Sequence, residues 1–383
     1  MKKAALPVLC KKTFATRVYM LFVCILCSAL LFASGSAASI KKQNTQRTII
    51  DMRGREVVLP ANPVQRIIAL EACSLRLICY LGASNKVVAV EDTGHAREKT
   101  EHDFFYLATY RIAFPELKNL PSIGSSANYE AIIAAKPDIV ICSTVEIAKL
   151  DQLQTALGIP VFAIDADVEL DNIDRFNEQI TKLGSVLGKE QRANELINGI
   201  RKALQDLTQR KQKVTDQVGA YAGGMMFYGP ADLLRTTGNY LPFNVTGIVN
   251  VMPPNPAGNG QPYMTSIESL IAANPEYIFI DSANAMLSRK GYTDNKEVLD
   301  LNVQAFKNKN VFTTLVYKYY GTNWENQLIN IYFAGKTVYP ELYTDVDIEA
   351  KAEEILKLFF GRDIDYQKVV QLQKPGFGRA TWW

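Results

Sequence analysis

Residues 128–141 read NYEAIIAAKPDIVI, and residues 266–279 read SIESLIAANPEYIF. Five of the fourteen positions are identical in the two stretches: Glu130/Glu268, Ile133/Ile271, Ala134/Ala272, Ala135/Ala273 and Pro137/Pro275. Such internal self-similarity decides the fold before any other feature does. In each copy a short helical pattern runs up to a proline, which forces the residue before it out of the helical region. The residues that follow, DIVIC and EYIFI, are unbroken apolar runs of the kind found in strands covered on both faces of a parallel sheet. Each copy therefore encodes one helix followed by one buried strand.

Working outward, further strands of this type are expected around the first copy at RIIAL (66–70), KVVAV (86–90) and PVFAI (160–164). Around the second copy they are expected at QVGAY (217–221) and NVFTT (310–314). Strands alternating with helices predict an α/β protein with parallel sheets, here as two Rossmann-like lobes that repeat one another in outline. The lobes are expected at 48–169 and 214–383. Between them, residues 170–213 lack proline, and Ala193, Leu196, Ile197, Ile200, Ala203, Leu204 and Leu207 form one apolar stripe at spacings of three and four. A helix over Glu190 to Lys213 would be about 36 Å long, a stiff strut joining the lobes where extended strands would make a hinge.

The N-terminus sets the expected compartment. Lys2, Lys3, Lys11, Lys12 and Arg17 precede the apolar run Val18 to Phe32 and the small residues ASGSAAS, the pattern of a secretory signal. Residues 1–38 are expected to be that signal, with cleavage near Ala37 or Ala38. The apolar run is shorter than the roughly 20 residues a membrane span needs; the alternative is a retained anchor. Cys24 and Cys27 lie inside the signal, and no lipoprotein cleavage pattern precedes either. Cys73, Cys79 and Cys142 remain, an odd number that does not suggest a disulfide framework. Without the five signal cations, 37 Lys+Arg face 39 Asp+Glu, so no basic stripe argues for nucleic acid. About 345 mature residues exceed one ordinary core, which agrees with two domains.

Two α/β lobes joined by a long helix, together with DMRGREVVLPANPVQRIIAL (51–70), LGASNKVVAV (81–90), LPSIGSSANYEAIIAAKPDIVI (120–141), LGKEQRANELI (187–197) and GKTVYPELYTDVD (335–347), resemble the helical-backbone class of periplasmic binding proteins. That class feeds ABC importers of ferric siderophores, vitamin B12 (cobalamin) and haem. The resemblance spans the mature chain and implies a monomeric solute-binding protein in the periplasm, not an enzyme. Its partner would be a permease dimer, and its ligand an iron-siderophore or related metal chelate, with no resident cofactor or protein-bound metal. It also implies that Glu130 and Glu268 each dock into an arginine pocket of one permease subunit, so that the duplication preserves two equivalent charges for a two-fold partner. Against this stands the plainer reading that a glutamate in the first turn offsets the helix dipole. Thr265 and Glu268 fit a capping box, and Glu130 has only Ala127 three residues earlier.

Ligands of open α/β sheets sit beyond the carboxyl ends of the strands. The candidates there are Glu71, Cys73 and Ser74 after RIIAL, Asp92 to His95 after VVAV, Ser143 and Thr144 after DIVIC, and Asp165 after VFAI. In the second lobe they are Gly223 and Gly224, Asp281 and Ser282 after YIFI, and Tyr317 after FTTLV. Aromatic residues crowd the second half: Tyr228, Tyr240, Phe243, Tyr263, Tyr317, Tyr319, Tyr320 and Trp324, flanked by PPNPAGNG (253–260). Their faces suit a large, partly flat ligand, although ordinary packing is the bland reading for any one of them.

Other chemistries are weaker. His95 and His102 are the only histidines; seven apart on one helical face, they offer a thin basis for a bare metal site. A molybdate-like oxyanion held by hydroxyls and helix N-termini is a second possibility. An aspartic protease would need a pair of aspartates sharing a proton. Asp92-Thr93-Gly94 has only Asp281-Ser282-Ala283 to match it, and the αβ alternation is wrong for that fold. GFGRAT (376–381) imitates part of a dinucleotide fingerprint but follows no expected strand and reads as tail.

Overall fold

The computed structural model describes residues 47–71, 73–92, 104–166, 168–226, 229–258 and 260–382. The signal segment with Cys24 and Cys27, His95, His102, Thr93, Gly94 and Tyr228 lie outside the described residues.

Two Rossmann-like lobes with parallel sheets are joined by one long helix. The first sheet contains β1 (Ile67–Leu70), β2 (Val87–Ala89), β3 (Ile139–Cys142) and β4 (Val161–Ala163), in the order β2-β1-β3-β4 and all parallel. The second contains β5 (Gly219–Gly223), β6 (Val249–Asn250), β7 (Tyr277–Asp281) and β8 (Val311–Thr314), in the order β6-β5-β7-β8 and again parallel. The duplication seen in fourteen residues thus extends to a whole four-stranded sheet. Strands β1, β3 and β8 are buried along their entire length, as apolar runs covered on both faces must be. The terminal GFGRAT is not a free tail: Gly378–Arg379 forms β9, an antiparallel strand on the outer edge of β8. Covering that edge with a short strand blocks pairing with another chain.

The helices follow from the same pattern. Helix α1 (Ser74–Tyr80) follows β1, α2 (Tyr129–Ala134) precedes β3, and α3 (Ile147–Leu157) follows it. The crossing segment makes α4 (Ile173–Leu187) and α5 (Glu190–Lys211); α5 buries Ala193, Leu196, Ile197, Ile200 and Leu207 and measures about 33 Å. In the second lobe α6 (Ile267–Ala273) precedes β7 and α7 (Ala285–Asp294) follows it, before α8 (Trp324–Val338) and α9 (Ile348–Phe360). Helix α8 packs on α9, and α9 packs on α5, so the strut is buttressed. The largest apolar cluster includes Leu77 and Phe176 of the first half with Phe279, Trp324 and Phe359 of the second. Outer faces of the sheets have their own clusters, around Ile132 and Leu150 in one lobe and Leu270 and Leu299 in the other.

The repeat is faithful at its caps. The Asn128 side chain accepts the Ala131 N–H at 3.2 Å, and the Ser266 hydroxyl accepts the Ser269 N–H at 3.2 Å. The second cap is Ser266 rather than Thr265, which places the two capping residues at equivalent positions. Both helices end in a left-handed residue before the proline, Lys136 at φ 49° and Asn274 at φ 41°. Arg66 ties down the first of these ends by donating to the carbonyls of Ala135 and Lys136 at 2.6 and 2.7 Å. At the second end the Asn274 side chain accepts the Gln304 N–H at 2.8 Å.

Candidate functional site

In both sheets the chain reverses direction beside the first strand, between β1 and β3 and between β5 and β7, the switch points where open α/β sheets take ligands. A cavity of about 630 Å³ lies at the carboxyl ends, with walls from both lobes. Ser143 follows β3 on one wall and Asp281 ends β7 on the other. These two are the equivalent positions of the repeat, each two residues past the quoted stretch. Val145, Ala166 and Val168 complete the first wall. Met225, Met226, Thr237 and Asn239 face them from the second lobe, with Gly260 at the end of the proline-rich loop and Gln261 and Pro262 just after it.

The charged groups of the cavity come from turns and from the crossing segment. The Asp51 carboxylate, 1% exposed, accepts the N–H groups of Arg53 and Arg55 at 2.8 and 3.0 Å, an Asx-type turn that carries Arg53 to the wall. Arg53 Nη1 meets Asp165 Oδ1 at 2.7 Å, and Arg175 Nε of α4 meets Asp165 Oδ2 at 2.7 Å. Arg175 Nη2 also donates to the Met52 carbonyl at 2.7 Å. Lys318 Nζ pairs with Glu169 Oε1 at 2.7 Å, and the Tyr317 hydroxyl donates to Glu169 Oε2 at 2.7 Å. Burial, reinforced by the Glu169 carboxylate, holds the Tyr317 phenol well above its ordinary value.

Asp281 is 2% exposed and accepts the N–H groups of Ala283 and Tyr317 at 2.8 and 3.0 Å. Burial raises its carboxyl to about 7 against the pull of those two donors. Asp92, by contrast, is exposed, accepts the Ser122 hydroxyl and does not line the cavity. The two aspartates that a protease reading would pair are therefore not on one site.

Of the residues expected at the site, Ser143, Asp165, Asp281 and Tyr317 line the cavity. Several others are engaged elsewhere. Glu71, left-handed at φ 66°, accepts the Thr144 hydroxyl at 2.7 Å and the Cys142 thiol at 3.5 Å. Burial, with Glu71 alongside, pushes that thiol to about 12, so it remains protonated and inert. The Cys73 thiol donates to the Ala166 carbonyl at 3.0 Å, and the Ser74 hydroxyl to the Leu70 carbonyl at 2.6 Å. Tyr240 is buried against Phe243 and Tyr317, ring centroids 4.8 and 5.1 Å apart. The Tyr263 hydroxyl donates to the Pro253 carbonyl at 2.9 Å. Trp324 is 0% exposed, its indole N–H on the Val168 carbonyl at 2.6 Å; it belongs to the core because a large apolar ring gains most from full burial.

Arg53, Arg175, Glu169 and Lys318 also line the cavity and were not among the expected residues. Lys318 adjoins Tyr317 and was within reach of strand-end reasoning. Arg53 precedes the first sheet and Arg175 lies on a helix, so no strand-end rule points to either. Among the described residues no cluster of three or more His, Cys, Asp or Glu is arranged to hold a metal.

Glu130 and Glu268 stand in the first turns of α2 and α6, both exposed. Its own backbone N–H and the Ser266 hydroxyl hold the Glu268 carboxyl below the usual range.

A two-lobed body with a shared cleft at the strand ends defines a solute-binding protein. Residues 67–316 match the family described as periplasmic binding protein, and the chain belongs to that family. It is similar to the molybdate-binding protein MolA of Haemophilus influenzae, 24% identical over 350 residues, which are 82% of this chain and 91% of that protein. The solved structure of MolA bound to molybdate superposes with a TM-score of 0.65 at 21% identity, covering 83% of this chain and 99% of that one. A periplasmic solute-binding protein of Veillonella parvula gives a TM-score of 0.66 at 17% identity, covering 86% and 98%. Helicobacter pylori CeuE with Ni(II) bound gives 0.60 at 18%, covering 85% and 99%.

Proposed function

We propose that this protein captures a metal chelate, an iron-siderophore or a related corrinoid or haem-like complex, between its lobes and delivers it to the permease dimer of an ABC importer. The carrying observation is the cavity of about 630 Å³ bounded by Ser143 and Asp281. That volume falls in the range of roughly 300–1,000 Å³ that suits a ligand of drug size and far exceeds one small ion. In this reading residues 1–38 direct export to the periplasm, 48–169 and 214–383 are the lobes, and 170–213 link them. The protein acts as a monomer, and Glu130 and Glu268 dock to arginines of the two permease subunits, a geometry that bidentate pairing makes specific.

The test is native mass spectrometry of the protein purified from its own periplasm, with metal analysis. A bound adduct of several hundred daltons with one equivalent of metal supports the reading, and its loss in Ser143→Trp assigns it to the cleft. Recovery of only a bare ion refutes it. A second reading, a molybdate-like oxyanion, is favoured by the likeness to MolA. Saturable molybdate binding at micromolar concentration would select it.

A further inference from the structure

We propose that the cleft selects a solute of neutral or positive net charge, because Asp165 and Glu169 already occupy every cation on its described wall. Those cations are Arg53, Arg175 and Lys318. Both arginines converge on the one Asp165 carboxylate, an oxygen to each, at 2.7 Å. Lys318 is held by Glu169 at 2.7 Å, and the same carboxylate takes the Tyr317 hydroxyl. Asp165 and Glu169 are only 11% and 18% exposed in their side chains, and Arg53, Arg175 and Lys318 are 21%, 33% and 28% exposed, so the pairs are partly shielded from water. Asp171 and Asp281 add further acidic groups to the lining, which leaves no surplus of positive charge.

An entering anion would have to displace Asp165 from its arginines or Glu169 from Lys318. The displaced carboxylate would stay in the same partly dry space, unpaired and repelled by the newcomer. A neutral or cationic complex meets no such conflict and finds carboxylate oxygens, hydroxyls and the amides of Asn172, Asn239 and Gln261. Asp165 and Glu169 therefore act as built-in counter-anions that set ligand charge, a form of discrimination against the wrong solute.

The inference rests on the cleft being the solute site. Its test is calorimetric titration of the full mature protein with molybdate, a dianion, for the wild type, Asp165→Asn, Glu169→Gln and the charge-keeping control Asp165→Glu. The expected result is no saturable binding below millimolar concentration for the wild type and the control, with a gain of at least tenfold in Asp165→Asn and in Glu169→Gln. Thermal melts establish that each variant is folded; Glu169→Gln keeps the test open if Asp165→Asn is not. Micromolar binding by the wild type overturns the proposal, as does the lack of any gain in folded variants. Retention of the co-purified solute by Ser143→Trp is a different result, which removes the cleft as the solute site.

Discussion

The Tyr317 hydroxyl donates to the Glu169 carboxylate over 2.7 Å, and this bond joins the loop after the last parallel strand of one lobe to the start of the segment that leaves the other. Around it the same loop is clasped repeatedly. The fully buried Arg76 guanidinium reaches the carbonyls of Tyr319 and Thr322, and Trp324 reaches Val168. Tyr317→Phe should therefore lower stability by about 1 kcal/mol, since Glu169 keeps Lys318 as partner. Urea denaturation would measure it, and an unchanged midpoint would mean that the bond is not formed in solution.

Gly321 sits in that loop at φ 84°, and a Cβ there would collide with the Cys73 thiol and approach the Ala166 carbonyl. Gly321→Ala should be destabilising by roughly 1–3 kcal/mol from backbone strain alone, with the collision in addition. Pairing it with Cys73→Ala should recover the collision but not the strain. Full recovery in the double variant would show that the left-handed backbone contributes nothing.

Asp281 has its carboxyl raised from an ordinary value near 3.8 to about 7 by burial. Between those values the folded chain holds a proton that the unfolded chain has released. Stability from this group is therefore largest at acidic pH, falls as pH rises from about 4 to about 7, and is flat above. The loss across that window is on the order of 4 kcal/mol. Asp281→Asn should flatten the melting temperature against pH in that window; a profile identical to wild type would place the titration elsewhere.

Glu130→Ala combined with Glu268→Ala should abolish uptake into cells or vesicles while leaving solute affinity unchanged. Both side chains are exposed, so stability should move by no more than about 0.5 kcal/mol. A weakened solute affinity in the double variant would refute the docking role.

Much of the fold is legible because buried parallel strands have to be continuously apolar: all seven expected strands are present, within a residue or two of their expected ends. The strand order is not legible, since apolar runs carry no record of their neighbours; the match between β2-β1-β3-β4 and β6-β5-β7-β8 emerges only from pairing. The places of Ser143 and Asp281 on the cavity wall could be read because the repeat and the strand-end rule coincide on them. Those of Arg53 and Arg175 could not, because a turn before the sheet and the tertiary path of α4 bring them to the wall. The aromatic residues misled for a related reason. Tyr240 and Trp324 lie near strand ends in the chain, but the same apolar surface that suits a ligand also suits a core, and the core took them.

Trp324 has a practical use on that account. Its indole is sealed from solvent and anchored to Val168, between the ring of Tyr80 from the other lobe and that of Phe176 from the crossing segment. The remaining two tryptophans occupy the last two positions of the chain. Emission from the sealed indole would thus register a change in the angle between the halves rather than collision with cargo, giving an optical gauge of opening that needs no attached dye.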